Sequence, residues 1–126
     1  MRVLYVDDDR INTLLFEETC RYAGGLEVLS AGSGAEALEL VTGFQPELLV
    51  IDLHLPDTDG YTLLADLRRS GSLPRVPAFL CTAEDPADVA TAAQHAGYAG
   101  CWTKPVDLNT VLADLGRLQQ RQPSGG

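Results

Sequence analysis

Apolar residues gather in five short runs, and the longer stretches between them carry apolar positions at helical spacing. The first run, RVLYV at 2–6, reads as a buried strand and precedes a helical segment at 12–23 that Gly24-Gly25 should end. EVLSA at 27–31 is the second strand, and Gly32 to Thr42 places Ala35, Leu38 and Val41 on one helical stripe. ELLVID at 47–52 is the third strand; Leu48 to Ile51 are apolar without alternation, as in a parallel-sheet strand covered on both faces. YTLLADLRRS at 61–70 sets Leu64 and Leu67 on one face before Gly71 breaks the helix, and VPAFLC at 76–81 is the fourth strand. Asp85-Pro86 supplies an N-cap and a first-turn proline for an alanine-rich helix to about Ala96. GCWT at 100–103 is a short fifth strand, and Asp107 caps a last helix with an apolar stripe of Leu108, Val111, Leu112, Leu115 and Leu118.

Strict alternation of five strands with five helices implies an α/β fold, a parallel sheet with helices on both faces. The 126 residues suffice for one domain without disulfides or a structural metal. That domain is expected over 1–120, with the polar, glycine-rich 121–126 as a flexible C-terminal tail. A formal charge of −9 argues against binding the phosphate backbone of nucleic acid. Cys20, Cys81 and Cys101 are odd in number and lack zinc-site spacing, which points to a reducing cytoplasm. No apolar run approaches the roughly 18 residues of a membrane span, and MRVLYVDDD turns acidic too soon for a signal peptide.

In a doubly wound sheet, ligands meet the carboxyl ends of the strands. Those ends carry Asp7-Asp8-Asp9, Asp52, Cys81-Thr82 and Thr103-Lys104-Pro105. Asp7, Asp8 and Asp52 would crowd negative charge, and unit charges ~4 Å apart repel by several kcal/mol near a surface. Oxygen-only ligands favour a hard cation such as Mg²⁺, which keeps waters and a substrate phosphate. The plainer alternative is that the aspartate run caps the following helix. Lys104 is the one lysine, the other eight basic residues being arginines, and its ammonium is a mobile point charge for a phosphoryl group or carboxylate. The Thr82 hydroxyl can donate to an anionic ligand. No glycine-rich phosphate loop is present, so Asp52 itself is the simplest nucleophile, forming an aspartyl-phosphate.

LYVDDD, VIDLHLPDTDG, LCTAED and CWTKPVD, in this order and spacing, resemble the receiver domain of two-component response regulators over about residues 2–118. The resemblance implies a flavodoxin-like (βα)5 fold with strand order 2-1-3-4-5 and a signalling module, not an enzyme acting on a separate substrate. Asp52 would take a phosphoryl group from a phosphohistidine on a histidine kinase or phosphotransfer protein, catalysing its own phosphorylation and dephosphorylation. Asp7, Asp8 and Asp52 would hold Mg²⁺ with the backbone carbonyl of His54, whose ring turns outward. Thr82 and Lys104 would bind phosphoryl oxygens, and Pro105 would be a cis proline. Asp57 and Asp59 are read as turn formers and Asp9 as a solvated neighbour of the metal pair.

The family often carries Tyr or Phe three residues before this lysine, as a ring that turns inward with the threonine. Here that position is Cys101, so the expected switch pair is Thr82 and Cys101; Trp102 should face the opposite side of the sheet. YVDDDRIN and WTKPVDL resemble receivers of hybrid sensor kinases, which leaves open a free-standing regulator or a piece of a larger kinase; no DNA-binding output domain is expected. Two other classes compete. A haloacid-dehalogenase-type phosphatase also uses a nucleophilic aspartate, but within an Asp-x-Asp element after the first strand, whereas Asp52 follows the third and His54 stands two residues on. The other is a receiver-like interaction domain that is never phosphorylated.

Overall fold

The computed structural model describes residues 1–70, 73, 76–104 and 106–121, without the side chains of 108 and 119–121. The elements are β1 (Arg2–Val6), α1 (Arg10–Ala23), β2 (Glu27–Ala31), α2 (Gly34–Phe44), β3 (Leu48–Asp52), α3 (Gly60–Arg69), β4 (Ala78–Thr82), α4 (Pro86–Ala96), β5 (Gly100–Thr103) and α5 (Leu108–Arg121). All strand pairs are parallel, in the order β2-β1-β3-β4-β5. The chain leaves β1 for β2 on one side and returns to β3 on the other, so strand order reverses between β1 and β3. Residue 120, taken as the domain limit, falls one short of the end of α5, and the tail beyond Arg121 lies outside the described residues.

Successive strand side chains alternate between faces, and this divides the core in two. Leu4, Val6, Leu49, Ile51 and Leu80 face α2, α3 and α4, packing with Val41, Leu63, Leu64, Leu67 and Val89. Val3, Tyr5, Val50, Phe79, Cys81 and Trp102 face α1 and α5, packing with Phe16, Cys20, Val111 and Leu115. Trp102 lies on the side opposite Cys101, as alternation requires, stacked on Phe79 with ring centroids 4.5 Å apart. Its indole N–H donates to Asp114 at 2.6 Å, which satisfies the polar end of a buried ring. Every residue of β3 and β4 is buried, which is why those runs show no alternation.

Two helix faces differ from the sequence reading. In α2 the buried positions are Gly34, Ala37 and Val41, while Ala35 and Leu38 are exposed. The stripe 35-38-41 uses only three-residue steps, which drift around a helix of 3.6 residues per turn. The true face starts at Gly34, where a Cβ would stand 2.5 Å from Thr58 Cγ2, so the helix can sit against that loop only with glycine there. In α5, Val111 and Leu115 are buried but Leu112 is exposed, and the side chain of Leu108 lies outside the described residues. Among the described residues no helix is long and apolar enough to cross a membrane.

Candidate functional site

Strand register builds the site. Val6 pairs with Ile51, so Asp7 and Asp52 emerge side by side where strand order reverses. Asp52 pairs with Cys81, Thr82 with Thr103, and the Lys104 N–H donates to the Thr82 carbonyl at 2.9 Å. One edge of the sheet thus presents Asp7, Asp52, Thr82 and Lys104 in a row.

The three aspartates of the first motif have separate fates. Asp9 is the N-cap of α1, accepting from the N–H groups of Ile11 at 2.9 Å and Asn12 at 3.2 Å. It satisfies two of the helix's unpaired donors, so the capping alternative holds for this residue. Asp7 is buried, and its carboxylate accepts from the Tyr5 hydroxyl at 2.9 Å and the Asp9 N–H at 2.9 Å. Asp8 is exposed. One carboxylate oxygen from each of Asp7, Asp8 and Asp52 lies within 4.8 Å of the others. Tyr5 was not singled out from sequence, although period-two alternation puts residues 5 and 7 on the same face.

Lys104 Nζ stands 3.3 Å from Asp7 Oδ2 and 3.2 Å from Asp52 Oδ2. Burial raises the pKa of Asp52, and Asp7 raises it further; Lys104 and the His54 backbone N–H oppose both without cancelling them. Burial would lower the pKa of Lys104, but Asp52 and Asp7 override it and leave the ammonium more firmly charged. One ammonium thus faces two buried carboxylates and a third exposed one. The all-oxygen donor set and its surplus of negative charge fit a hard divalent cation.

The remaining expected residues fall around this centre. Thr82 is buried, and its Oγ1 accepts from the Glu84 N–H at 3.0 Å. His54 turns its ring outward, with Nε2 2.7 Å from Glu84 Oε2. Asp57 proves to be a long-range cap: its carboxylate accepts from the N–H groups of Gly34 and Ala35 at 2.9 Å, and those bonds hold its pKa below the ordinary value. Asp59 caps α3 through the Thr62 N–H at 2.8 Å. Cys101 is half-buried among the residues facing α3 and α4, and burial pushes its thiol pKa up. Pro105, read as a cis proline, lies outside the described residues.

A contrast between neighbours follows. With metal absent, Asp9→Ala should lower stability by about 1 kcal/mol, the usual worth of an N-cap. Asp8→Ala should leave metal-free stability unchanged or raise it, because it removes a carboxylate from a repelling cluster, and should weaken Mg²⁺ binding. Thermal melts in EDTA and after Mg²⁺ addition read both effects; a clear loss in the Asp8 variant in EDTA would make Asp8 a structural residue.

A doubly wound domain whose strand ends gather paired acids, a threonine and one lysine is of the phosphoryl-handling signalling class. Comparison with known proteins agrees: residues 3–115 match the response regulator receiver domain family. The chain belongs to that family. It is 34% identical over 121 residues to the response regulator MprA of Mycobacterium leprae (strain TN), covering 96% of this chain and 52% of that protein. It is 36% identical over 118 residues to protein-glutamate methylesterase/protein-glutamine glutaminase 5 of Myxococcus xanthus (strain DK1622), covering 92% of this chain and 34% of that protein. The chain thus spans about half or less of the length of these relatives. Among solved structures, the chemotaxis protein CheY4 of Vibrio cholerae superposes with a TM-score of 0.84 at 26% identity, covering 92% of this chain and 96% of that one.

Proposed function

We propose that this receiver accepts a phosphoryl group on Asp52 from a phosphohistidine of a histidine kinase or histidine phosphotransfer protein, and that the modification changes a protein-binding surface. The observation that supports it most is the placement of the Asp52 carboxylate at the strand-order reversal, 3.2 Å from the one lysine and within a three-carboxylate cluster. In transfer, an Asp52 oxygen forms the new bond to phosphorus as the bond from phosphorus to the imidazole nitrogen breaks, and the donor histidine leaves with the electron pair. Asp7, Asp8, Asp52 and the His54 carbonyl would hold Mg²⁺, which when bound supplies neutralisation of phosphoryl and carboxylate charge.

This chain's own residues then position and compensate charge. Lys104 meets a phosphoryl oxygen with its ammonium, which requires it to give up part of its contact with Asp52. Thr82 keeps its oxygen on the Glu84 N–H and turns its hydroxyl proton toward a second phosphoryl oxygen. Catalysis of this kind is positioning with electrostatic stabilisation. Exposed Ile11, Leu14 and Leu15 on α1, which begins directly after the aspartate motif, give the site an apolar border suited to a protein donor. We assign the receiver to residues 1–120 and treat 121–126 as a tail. The testing experiment is intact mass after incubation with acetyl phosphate, with and without Mg²⁺. One phosphoryl group added only with the divalent ion is expected, and no addition would remove the assignment.

A further inference from the structure

Tyr98 stands in the connection between α4 and β5, far in sequence from the acidic cluster, yet its side chain points toward it through the core. The ring is buried among residues facing α3 and α4, and its hydroxyl donates to the Gly60 carbonyl at 2.7 Å across 38 positions of sequence. Burial pushes the phenol pKa far above its ordinary value, so the hydroxyl stays a neutral donor. By α-helical geometry the Gly60 carbonyl, at the first residue of α3, already faces an N–H four residues on. The tyrosine bond is therefore a second bond to that oxygen, made from another element.

Gly60 is in turn seated on the backbone of the phosphoacceptor residue. A Cβ at this position would lie 3.0 Å from the Asp52 carbonyl oxygen and 3.2 Å from Leu53 Cα, so no side chain intervenes. The Gly60 N–H donates to the Leu53 carbonyl at 2.8 Å, and the Leu53 N–H donates to Cys81 in β4 at 2.9 Å. At the other end Tyr98 is held by its own backbone, whose N–H donates to Ala93 at 3.0 Å, and by Ala99, whose N–H donates to Ala78 at 2.8 Å. The Asp52 backbone and residues 97–101 are thus joined by one van der Waals contact and one buried hydrogen bond. Cys101, on the same face, has no ring to bridge that distance, and Trp102 lies on the other side of the sheet.

We propose that Tyr98 is the positioning residue that couples the loop after Asp52 to the α4–β5 connection, so that the state of the Asp52 carboxylate is felt at residues 97–101. The inference rests on Asp52 being the phosphoacceptor. Coupling of this kind is reciprocal, so a partner bound at the α4–β5 connection would also alter phosphoryl retention on Asp52.

The test is Tyr98→Phe, which removes one oxygen, studied with Mg²⁺ and beryllofluoride as the phosphoryl mimic. In the unaltered chain, backbone amide shifts should move both at 53–60 and at 97–101. In the variant the 53–60 changes should persist and acetyl phosphate should still label Asp52, while the 97–101 changes lose most of their amplitude. Equal responses at 97–101 in both proteins would overturn the coupling and leave the phosphoacceptor reading intact. The Gly60 carbonyl carbon shift of the unaltered chain gives a second reading that needs no variant: it should move on adding beryllofluoride, and a fixed value would overturn the proposal. If acetyl phosphate labels neither protein, the assignment of Asp52 falls and the coupling with it.

Discussion

Asp52→Asn is expected to end phosphoryl incorporation and at the same time to stabilise the metal-free protein at neutral pH. The first effect follows from chemistry: a carboxylate oxygen carries the charge and lone pairs that attack phosphorus, and the amide that replaces it is a far weaker nucleophile. Intact mass with acetyl phosphate and Mg²⁺ should show no addition to the variant, and undiminished labelling would place the acceptor elsewhere.

The second effect follows from the raised pKa of Asp52, caused by burial and then by Asp7. A carboxyl group whose folded pKa lies above its unfolded value keeps its proton longer in the folded state. Stability therefore falls as pH rises past the unfolded value, near 3.8, and the full penalty is present above the folded pKa. Asparagine, nearly the same shape, carries no such penalty. Its stabilising effect should be largest at neutral pH and shrink on acidification, as the wild-type carboxyl group takes up its proton. Melts in EDTA across the acid range check the sign, and a variant less stable than wild type at pH 7 would show that the Lys104 contact outweighs burial.

Lys104→Ala should be the most destabilising change at the site. Asp7 and Asp52 have side-chain exposures of 0% and 6%, and Lys104 meets both at 3.3 and 3.2 Å. Removing the ammonium leaves two buried carboxylates facing each other, and breaking a buried pair in this way costs about 3 kcal/mol. The loss should be greatest without divalent ion and partly reversed by Mg²⁺, because a ligand bound only by the folded state stabilises it by mass action. Lys104→Arg keeps the charge and should recover much of the metal-free stability. It should not recover the response, because a planar guanidinium cannot occupy the ammonium's point-charge position beside a small phosphoryl group. Melts with EDTA or Mg²⁺, and amide shifts with beryllofluoride, separate the two losses. An Ala variant as stable as wild type in EDTA, or an Arg variant with the wild-type beryllofluoride response, would contradict the role given to this lysine.

What the sequence determined by itself was the set of elements and the edge where the chemistry lies. Apolar runs unbroken by polar residues marked β3 and β4 because both faces of those strands are covered. The Asp85-Pro86 start of α4 was legible because a cap and a first-turn proline are local devices. Asp52 was conspicuous because a charge closing such a run needs a reason. The four motifs, taken as a family resemblance, supplied the strand order. The exact helix faces were less legible, since three apolar residues in α2 admit two stripes and only contact with the 57–58 loop selects one.

Tertiary structure alone decided which member of a like set does what. Asp7, Asp8 and Asp9 are the same residue type in consecutive positions, yet one is buried against Tyr5 and Lys104, one is exposed and one caps α1. Asp57 read as a turn former and is a cap for a helix 22 and 23 positions away. Tyr98 carried no local signal, because its meaning lies in a carbonyl 38 positions earlier. The physical reason is common to all three: propensity and periodicity report interactions within a few residues of the chain. A charge or hydroxyl takes its role from whatever the sheet register and helix packing bring within hydrogen-bonding distance.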